Sequence, residues 1–265
     1  MIYRYKHFTT SLLLRDLRFA KDAVRPGDPL PAFEWVTTNG DRLVNRDVFG
    51  GKPVLLIFGS MTCPMTASAA PSIQKLYEKF GDQVEFVMLY VREAHPGEHF
   101  PQSETMEQKL VHARAFKELY DIRWKVAADG IDGDLHRTLD PKPNSAFLIN
   151  SDGVILFRSL WAADTVALHQ ALDDAVAGRV LQRQQSLALI GPVSRAMGKV
   201  HEVMKRGGPQ AVRDLWRAGF PIALAGRIAT FFSPLSPDRR GIAAVLTITV
   251  GMLAGLYIFV SWILA

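Results

Sequence analysis

The stretch PVLLIFGSMTCPMTASAAPSIQKLYEKFGDQVEFVMLYV, residues 53–91, decides the fold. It opens on Val54–Phe58, a short unbroken apolar run, which is the pattern of a strand covered on both faces. After Pro64, Ile73, Leu76, Tyr77 and Phe80 recur at helical spacing, and Gly81 marks the stop. Val84–Val91 reads as a second buried strand. Strand, helix, strand at this spacing predicts a right-handed parallel crossover.

The flanks extend the pattern. Phe33 and Trp35 alternate ahead of Asn39-Gly40 and Leu43-Val44, a hairpin signal. Downstream, Thr105 and Gln108 can form a capping box for a helix to about Tyr120, and Lys125–Ala128 reads as a short strand. Ala146–Asn150, Ser151-Asp152-Gly153 and Val154–Phe157 read as a second hairpin. Asp164 or Thr165 then caps a helix whose Leu168, Ala171, Leu172, Ala175 and Val176 face inward, ending at Gly178. A parallel crossover followed by an antiparallel hairpin and a helix is the thioredoxin-like order. Residues 28–178 are therefore expected to form one α/β domain of that fold with an N-terminal hairpin.

The 265 residues are 48% hydrophobic and 22% charged, which excludes wholesale disorder. The net charge of +5 is unevenly spread: residues 179–240 hold eleven Lys or Arg against Glu202, Asp214 and Asp238. A smaller basic cluster, Arg4, Lys6, Arg15 and Arg18, marks residues 1–27. Such local excess argues against a nucleic-acid partner. Residues 179–240 read as a basic helical juxtamembrane segment with breaks at Gly191-Pro192, Gly207-Gly208-Pro209 and Pro221. Within it, Ala223–Phe232 is apolar enough to lie along a membrane surface. Residues 241–265 carry no charged side chain and, at ~1.5 Å per residue, are long enough to cross a ~30 Å hydrocarbon core. Arg239 and Arg240 directly precede them. The positive-inside rule then predicts a single-pass C-terminal anchor with the catalytic domain in the cytoplasm and the basic segment against membrane lipids. Gly251 and Gly255 offer a helix-pairing face for a dimer. The N-terminus lacks the apolar core of a signal peptide.

Cys63 is the only cysteine, so an internal disulfide and a multi-cysteine zinc site are excluded. It lies between a buried strand and a helix, with Pro64 suited to the first helical position. Near a helix N-cap, free backbone N–H groups favour the thiolate; the alternative is a structural cysteine. The second strand leads into Val91-Arg-Glu-Ala-His-Pro96. If the strand persists, period-two alternation puts Val91, Glu93 and His95 on one side, at the same sheet edge as Cys63. His95 could then transfer a proton while Glu93 sets its tautomer. Taken singly, a turn-capping histidine and an ion pair of Glu93 with Arg92 or Lys125 explain these residues as well. Glu93, His95, Glu98 and His99 crowd one loop without a distant fourth ligand, so no metal is assigned. Asp129, Asp132 and Asp134 lack calcium-loop spacing and read as a turn.

FGSMTCPM, residues 58–65, followed by LYVREAHPGE, residues 89–98, resembles the iodothyronine deiodinase family of the thioredoxin-like superfamily. The resemblance covers roughly residues 50–160. Family members carry selenocysteine, or cysteine in bacterial relatives, where Cys63 stands. They follow it with Tyr-x-x-Glu-Ala-His-Pro, matched here by Tyr90, Glu93, Ala94, His95 and Pro96. The resemblance implies reductive removal of iodine from a phenolic ring by Cys63, with Glu93 and His95 in the proton pathway and Thr62, Pro64 and Tyr90 in support. The sequence departs from the family at Met61, where several deiodinases have a cysteine, and at Ser103, where a histidine lies near the phenol. Vertebrate members also carry their anchor at the N-terminus. With one cysteine and no bound cofactor, a cytoplasmic external thiol has to reduce the enzyme after it acts on a small-molecule substrate. Thr62 is adjacent to the cysteine, unlike the peroxiredoxin pattern. A one-cysteine peroxidase or thiol reductase, and a non-catalytic redoxin-like module at the membrane, are the alternatives.

Overall fold

The computed structural model describes residues 3–264; Met1, Ile2 and Ala265, the outer ends of the first and last segments, lie outside the described residues. The crossover forms as the apolar pattern predicts. Strand β3 (Val54–Gly59) pairs in parallel with β4 (Glu85–Tyr90), and α3 (Pro64–Phe80) connects them. Ahead of this unit, β1 (Glu34–Thr37) and β2 (Arg42–Val44) form the hairpin around Asn39-Gly40, and α2 (Asn45–Val48) follows. Gly40 has φ +97°, a conformation the turn requires and that other residues adopt at a cost.

Helix α4 (Met106–Leu119) leads to β5 (Lys125–Ala128), parallel to β4. Then come α5 (Asp134–Leu139), the antiparallel pair β6 (Ala146–Ile149) and β7 (Ile155–Ser159), and α6 (Thr165–Val176). Among the described residues the sheet has the order β2-β1-β5-β4-β3-β6-β7-β8, where β8 is Gln185–Ser186. Both faces are covered, which explains the unbroken apolar runs. Leu55 and Ile57 of β3 join a core with Ile73, Phe116 and Leu168. Val54, Leu56 and Phe58 join the opposite core with Trp35 and Leu135.

Several local expectations change. The side chain of Thr105 caps α4 by accepting from Gln108 N, but Gln108 Oε1 reaches Glu104 N rather than closing the box on Thr105. Asp164 occupies the N-cap of α6 without capping it, because its carboxylate is taken by Ser186 Oγ. The stretch Asp129–Asp134 is a turn as read, but it starts α5.

The two basic segments are parts of the body rather than spacers. Residues 3–27, with α1 (Thr10–Asp16), run across the domain; Tyr3 and Phe8 are buried. Residues 179–240 begin with β8, which adds to the sheet. They continue as α7 (Ile190–Gly207), α8 (Pro209–Ala218), α9 (Phe220–Ala229) and a 3-10 turn, Thr230–Phe232. Gly191-Pro192 opens α7 instead of breaking it, since proline is tolerated in a first turn. Gly207-Gly208-Pro209 does separate two helices, and Pro221 lies at the start of α9. Ala67 of α3, Val200 and Val203 of α7 and Leu215 of α8 share a third apolar cluster with Phe8. The excess of basic over acidic residues in 179–240 draws attention away from this buried face. The last helix, α10 (Pro237–Leu264), is long and apolar enough to cross a membrane; its first turns pack on α7 and α9, and from Thr249 onward every described residue is exposed.

Candidate active site

Cys63 caps α3 and Pro64 takes the first helical position, so the strand-to-helix junction has the geometry its sequence predicts. Thr66 N–H donates to Cys63 Sγ at 3.5 Å. The electrostatic outcome differs from the expected thiolate. Cys63 is 1% exposed, and burial pushes its thiol up to about 11, outweighing the hydrogen bonds from Thr66 and Met65. At neutral pH it is a thiol.

The loop after β4 also departs from the alternation argument. The strand ends at Tyr90, so Glu93 and His95 do not share a strand face. Glu93 turns back beneath the β3–α3 loop. Its Oε2 accepts from Thr62 N at 3.0 Å and Thr62 Oγ1 at 2.6 Å, and its Oε1 accepts from the Tyr90 hydroxyl. Burial raises Glu93 to about 7 despite these three donors. Neither Arg92 nor Lys125 pairs with it: Arg92 bonds the carbonyls of Tyr3 and Pro141, and Lys125 pairs with Glu85.

His95 touches this cluster through its backbone, its N–H donating to Thr62 Oγ1 at 3.1 Å. Its ring enters the cavity that Cys63 lines, and its Nδ1 has no hydrogen-bond partner among the described residues. Burial holds the imidazole down at about 3, so it is neutral. Among the described residues no hydrogen bond joins Glu93 to the His95 ring, so Glu93 does not set its tautomer; Thr62 links the Glu93 carboxyl to the His95 backbone. Tyr90 also accepts from Met61 N, and Gln102 clamps Glu93 through both backbone groups.

Glu98 and His99, the other members of the loop considered for metal binding, point elsewhere. Glu98 accepts from Gln210 N and pairs with Arg213, and His99 Nδ1 lies 3.2 Å from Arg206 O.

The cavity of about 80 Å³ is bounded by Phe8, Leu13, Asp16 and Leu17 from the N-terminal strap and by Val193, Ala196, Met197 and Val200 of α7. Phe8 packs on the His95 ring with centroids 4.2 Å apart, and Tyr5 donates to Ala94 O at 2.8 Å. Ligand pockets usually start at ~300 Å³, so this space is smaller than a typical ligand site. Sequence reasoning missed these walls, and it missed Asp16, whose carboxyl burial raises to about 7. Apolar residues at 8, 12, 13 and 17 were the available signal, hidden beside four basic residues. Asn144 carries no signal in the sequence pattern. It donates to Phe58 O and Thr66 Oγ1, tying the β6 end to the start of α3.

The fold has the thioredoxin-like arrangement, and its N-terminal half is similar to the deiodinases. Residues 2–127 match the family model for iodothyronine deiodinase. Thyroxine 5-deiodinase of Ovis aries is 30% identical over 115 residues, covering 38% of each chain. Type II iodothyronine deiodinase of Neoceratodus forsteri is 40% identical over 97 residues, 31% of this chain and 36% of that relative. The matched stretch thus spans under two-fifths of these relatives. An uncharacterized conserved protein from Geobacillus kaustophilus shares the fold, with a TM-score of 0.51 at 15% identity over 61% of this chain and 88% of its own. A hypothetical protein from Sinorhizobium meliloti gives 0.50 at 13% identity, over 64% and 93%.

Proposed function

We propose that this chain is a membrane-anchored, thiol-dependent reductase of the deiodinase type, with Cys63 as the reacting group. The observation that carries the reading is the meeting of Cys63 and the unpartnered, neutral His95 ring in one apolar cavity. In the resting site burial makes His95 a weak base and Cys63 a weak acid, so the thiol proton passes to the imidazole only once substrate or water relieves the burial of both groups. With an iodinated phenol, sulfur takes the iodine as the C–I bond breaks, and the thiol proton passes through His95 to the ring carbon. Two external thiols then convert the S–I group back to thiol, releasing a disulfide, iodide and a proton. No bound cofactor is needed. Glu93, Tyr90 and Thr62 hold the loop that carries His95, and Pro64 sets the start of α3. Helix α10 spans the membrane, with Arg239 and Arg240 on the cytoplasmic side and, in a dimer, Gly251 and Gly255 at the helix contact.

The test is halide release from iodinated and brominated phenols by the full chain in lipid, with dithiothreitol as reductant. Release that disappears in Cys63→Ser supports the reading; no release from any halophenol sinks it. The raised thiol pKa favours a second reading, a non-catalytic module, because a binding scaffold has no need of a thiolate. That reading expects Cys63→Ser to leave every measurable property but alkylation intact. The same raised pKa weighs on a one-cysteine peroxidase as it does on the reductase, since in both Cys63 has to lose its proton before sulfur attacks.

A further inference from the structure

Helices α7 and α10 cross at two glycines. A Cβ on Gly198 would lie 1.8 Å from Pro237 O, and one on Gly241 would lie 2.2 Å from Ser194 O. Moving down α7 from 198 to 194 moves up α10 from 237 to 241, so the helices run antiparallel. Continuing that register at ~1.5 Å per residue to the start of α7 puts Ile190 level with Val245, and Leu187 lies in the non-helical segment just before it. Val245 and Ile248 are themselves packed against the helical cap.

The charge pattern of α10 gives the depth scale. Arg239 and Arg240 mark the headgroup level, and the uncharged run starts at Gly241. Ile248 is eight residues beyond Arg240, ~12 Å along the helix axis. The protein body therefore reaches below the headgroup level wherever it accompanies α10. The residues it presents there suit lipid: Ile190 is 82% exposed and Leu187 58%. One level higher, α9 runs parallel to α7, with Gly226 against Val200 and Ile222 lining the cavity beside Ala196. That register brings Phe220 level with Ser194 and hence with Gly241. Phe220 is exposed and packs on exposed Trp216 at 5.6 Å, an aromatic pair at the height where such rings favour the interface.

We propose that the Leu187–Ile190 turn and the first turn of α7 are submerged in the bilayer beside α10, with Trp216 and Phe220 at the interface. The domain is thus seated in the membrane in a fixed orientation instead of hanging from a tether. The proposal rests on the reading of α10 as a membrane span. An amphipathic element lying ~5–10 Å into the headgroup–acyl boundary is a stable arrangement, which matches the depth of Ile190.

The test uses the full chain with Cys63→Ser, reconstituted in vesicles of phosphatidylcholine and phosphatidylglycerol. Single cysteines replace Ile190, Leu187, Val250 on α10 and Val111 on α4, each exposed. Each carries a nitroxide, whose relaxation by oxygen and by a water-soluble nickel chelate is compared. The expected result is an oxygen-dominated signal at 187, 190 and 250 and a nickel-dominated one at 111. If 187 and 190 behave like 111 while 250 stays oxygen-dominated, the seat is wrong and the span stands. If 250 is also nickel-dominated, the span has failed and the seat fails with it.

Discussion

At Cys63 two effects compete. The helix N-terminus and the Thr66 N–H favour the anion, each by roughly 1–2 kcal/mol at most. Removing the thiolate from water costs more, and the thiol rises to about 11. Iodoacetamide alkylation of the resting protein should therefore be slow at pH 7 and accelerate towards pH 11; a plateau at or below ~8.5 would show a solvated thiol. Glu93 and His95 couple to stability with opposite signs. Glu93 is raised from 4.5 to about 7, so its contribution is full below 4.5 and is lost as pH rises through about 7. His95 is lowered from 6.5 to about 3, so its contribution is present above 6.5 and is lost as pH falls towards 3. In urea unfolding, wild type should exceed Glu93→Gln by more at pH 5 than at pH 8, at a slope no steeper than ~1.4 kcal/mol per pH unit. An equal gap at both pH values would mean that Glu93 is ionised in the folded state.

Between elements, the structure is held by a few short connections. Thr62 joins the loop after β3 to the loop after β4, donating to Glu93 and accepting from His95 N. Thr62→Val keeps the shape and leaves the buried His95 N–H unpaired, while Glu93 Oε2 keeps the Thr62 N–H, so it should cost about 1–3 kcal/mol, with Thr62→Ser recovering most of it. If Val and Ser behave alike in thermal unfolding, the hydrogen bonds contribute little. The α7–α10 crossing depends on bare backbone. Gly198→Ala puts a methyl against the Pro237 carbonyl, which cannot swing away as a side chain would. About 1–3 kcal/mol of overpacking is expected, with faster proteolysis in the Ser233–Ser236 turn that precedes α10. Unchanged cleavage there would show that α10 is held by other contacts.

Over the whole molecule, the N-terminal strap and the α7–α9 cap close the cavity from two sides, so reactivity at Cys63 depends on opening it. Phe8 packs on His95 and belongs to the cap's apolar cluster. Phe8→Ala removes a buried ring, typically worth ~3–5 kcal/mol. Even ~1.4 kcal/mol of that loss spent on local opening would raise alkylation of Cys63 ~10-fold at fixed pH. A global loss of stability with no change in alkylation would place the route to the thiol elsewhere. Burial beneath segments from both ends of the chain also explains why the Cys63 thiol is held protonated.

The central strands β3, β4 and β6 were legible because they are short and apolar on both faces, and the turns because Asn39-Gly40, Gly81 and Gly153 act locally; β8, the polar pair Gln185–Ser186, carries no such signal. Cys63 at the head of α3 was legible for the same reason: Pro64 and the preceding strand position it without help from distant residues. The apolar, uncharged run after Arg240 identified α10 from composition alone. Tertiary structure decided what those signals could not carry. Whether Cys63 ionises depends on water being excluded by Phe8 and Val193, residues far from it in sequence. The relation of Glu93 to His95 depends on where β4 stops, and the hydrogen bonds from Thr62 and Tyr90 turn Glu93 back at that point. The stretch 179–240 reads as a juxtamembrane segment because its eleven Lys or Arg stand against three acidic residues. Its buried face, Val200, Val203 and Leu215, acquires meaning only when α3 and Phe8 arrive to cover it. Periodicity within one helix says that a face is apolar; only the assembled chain says what that face meets.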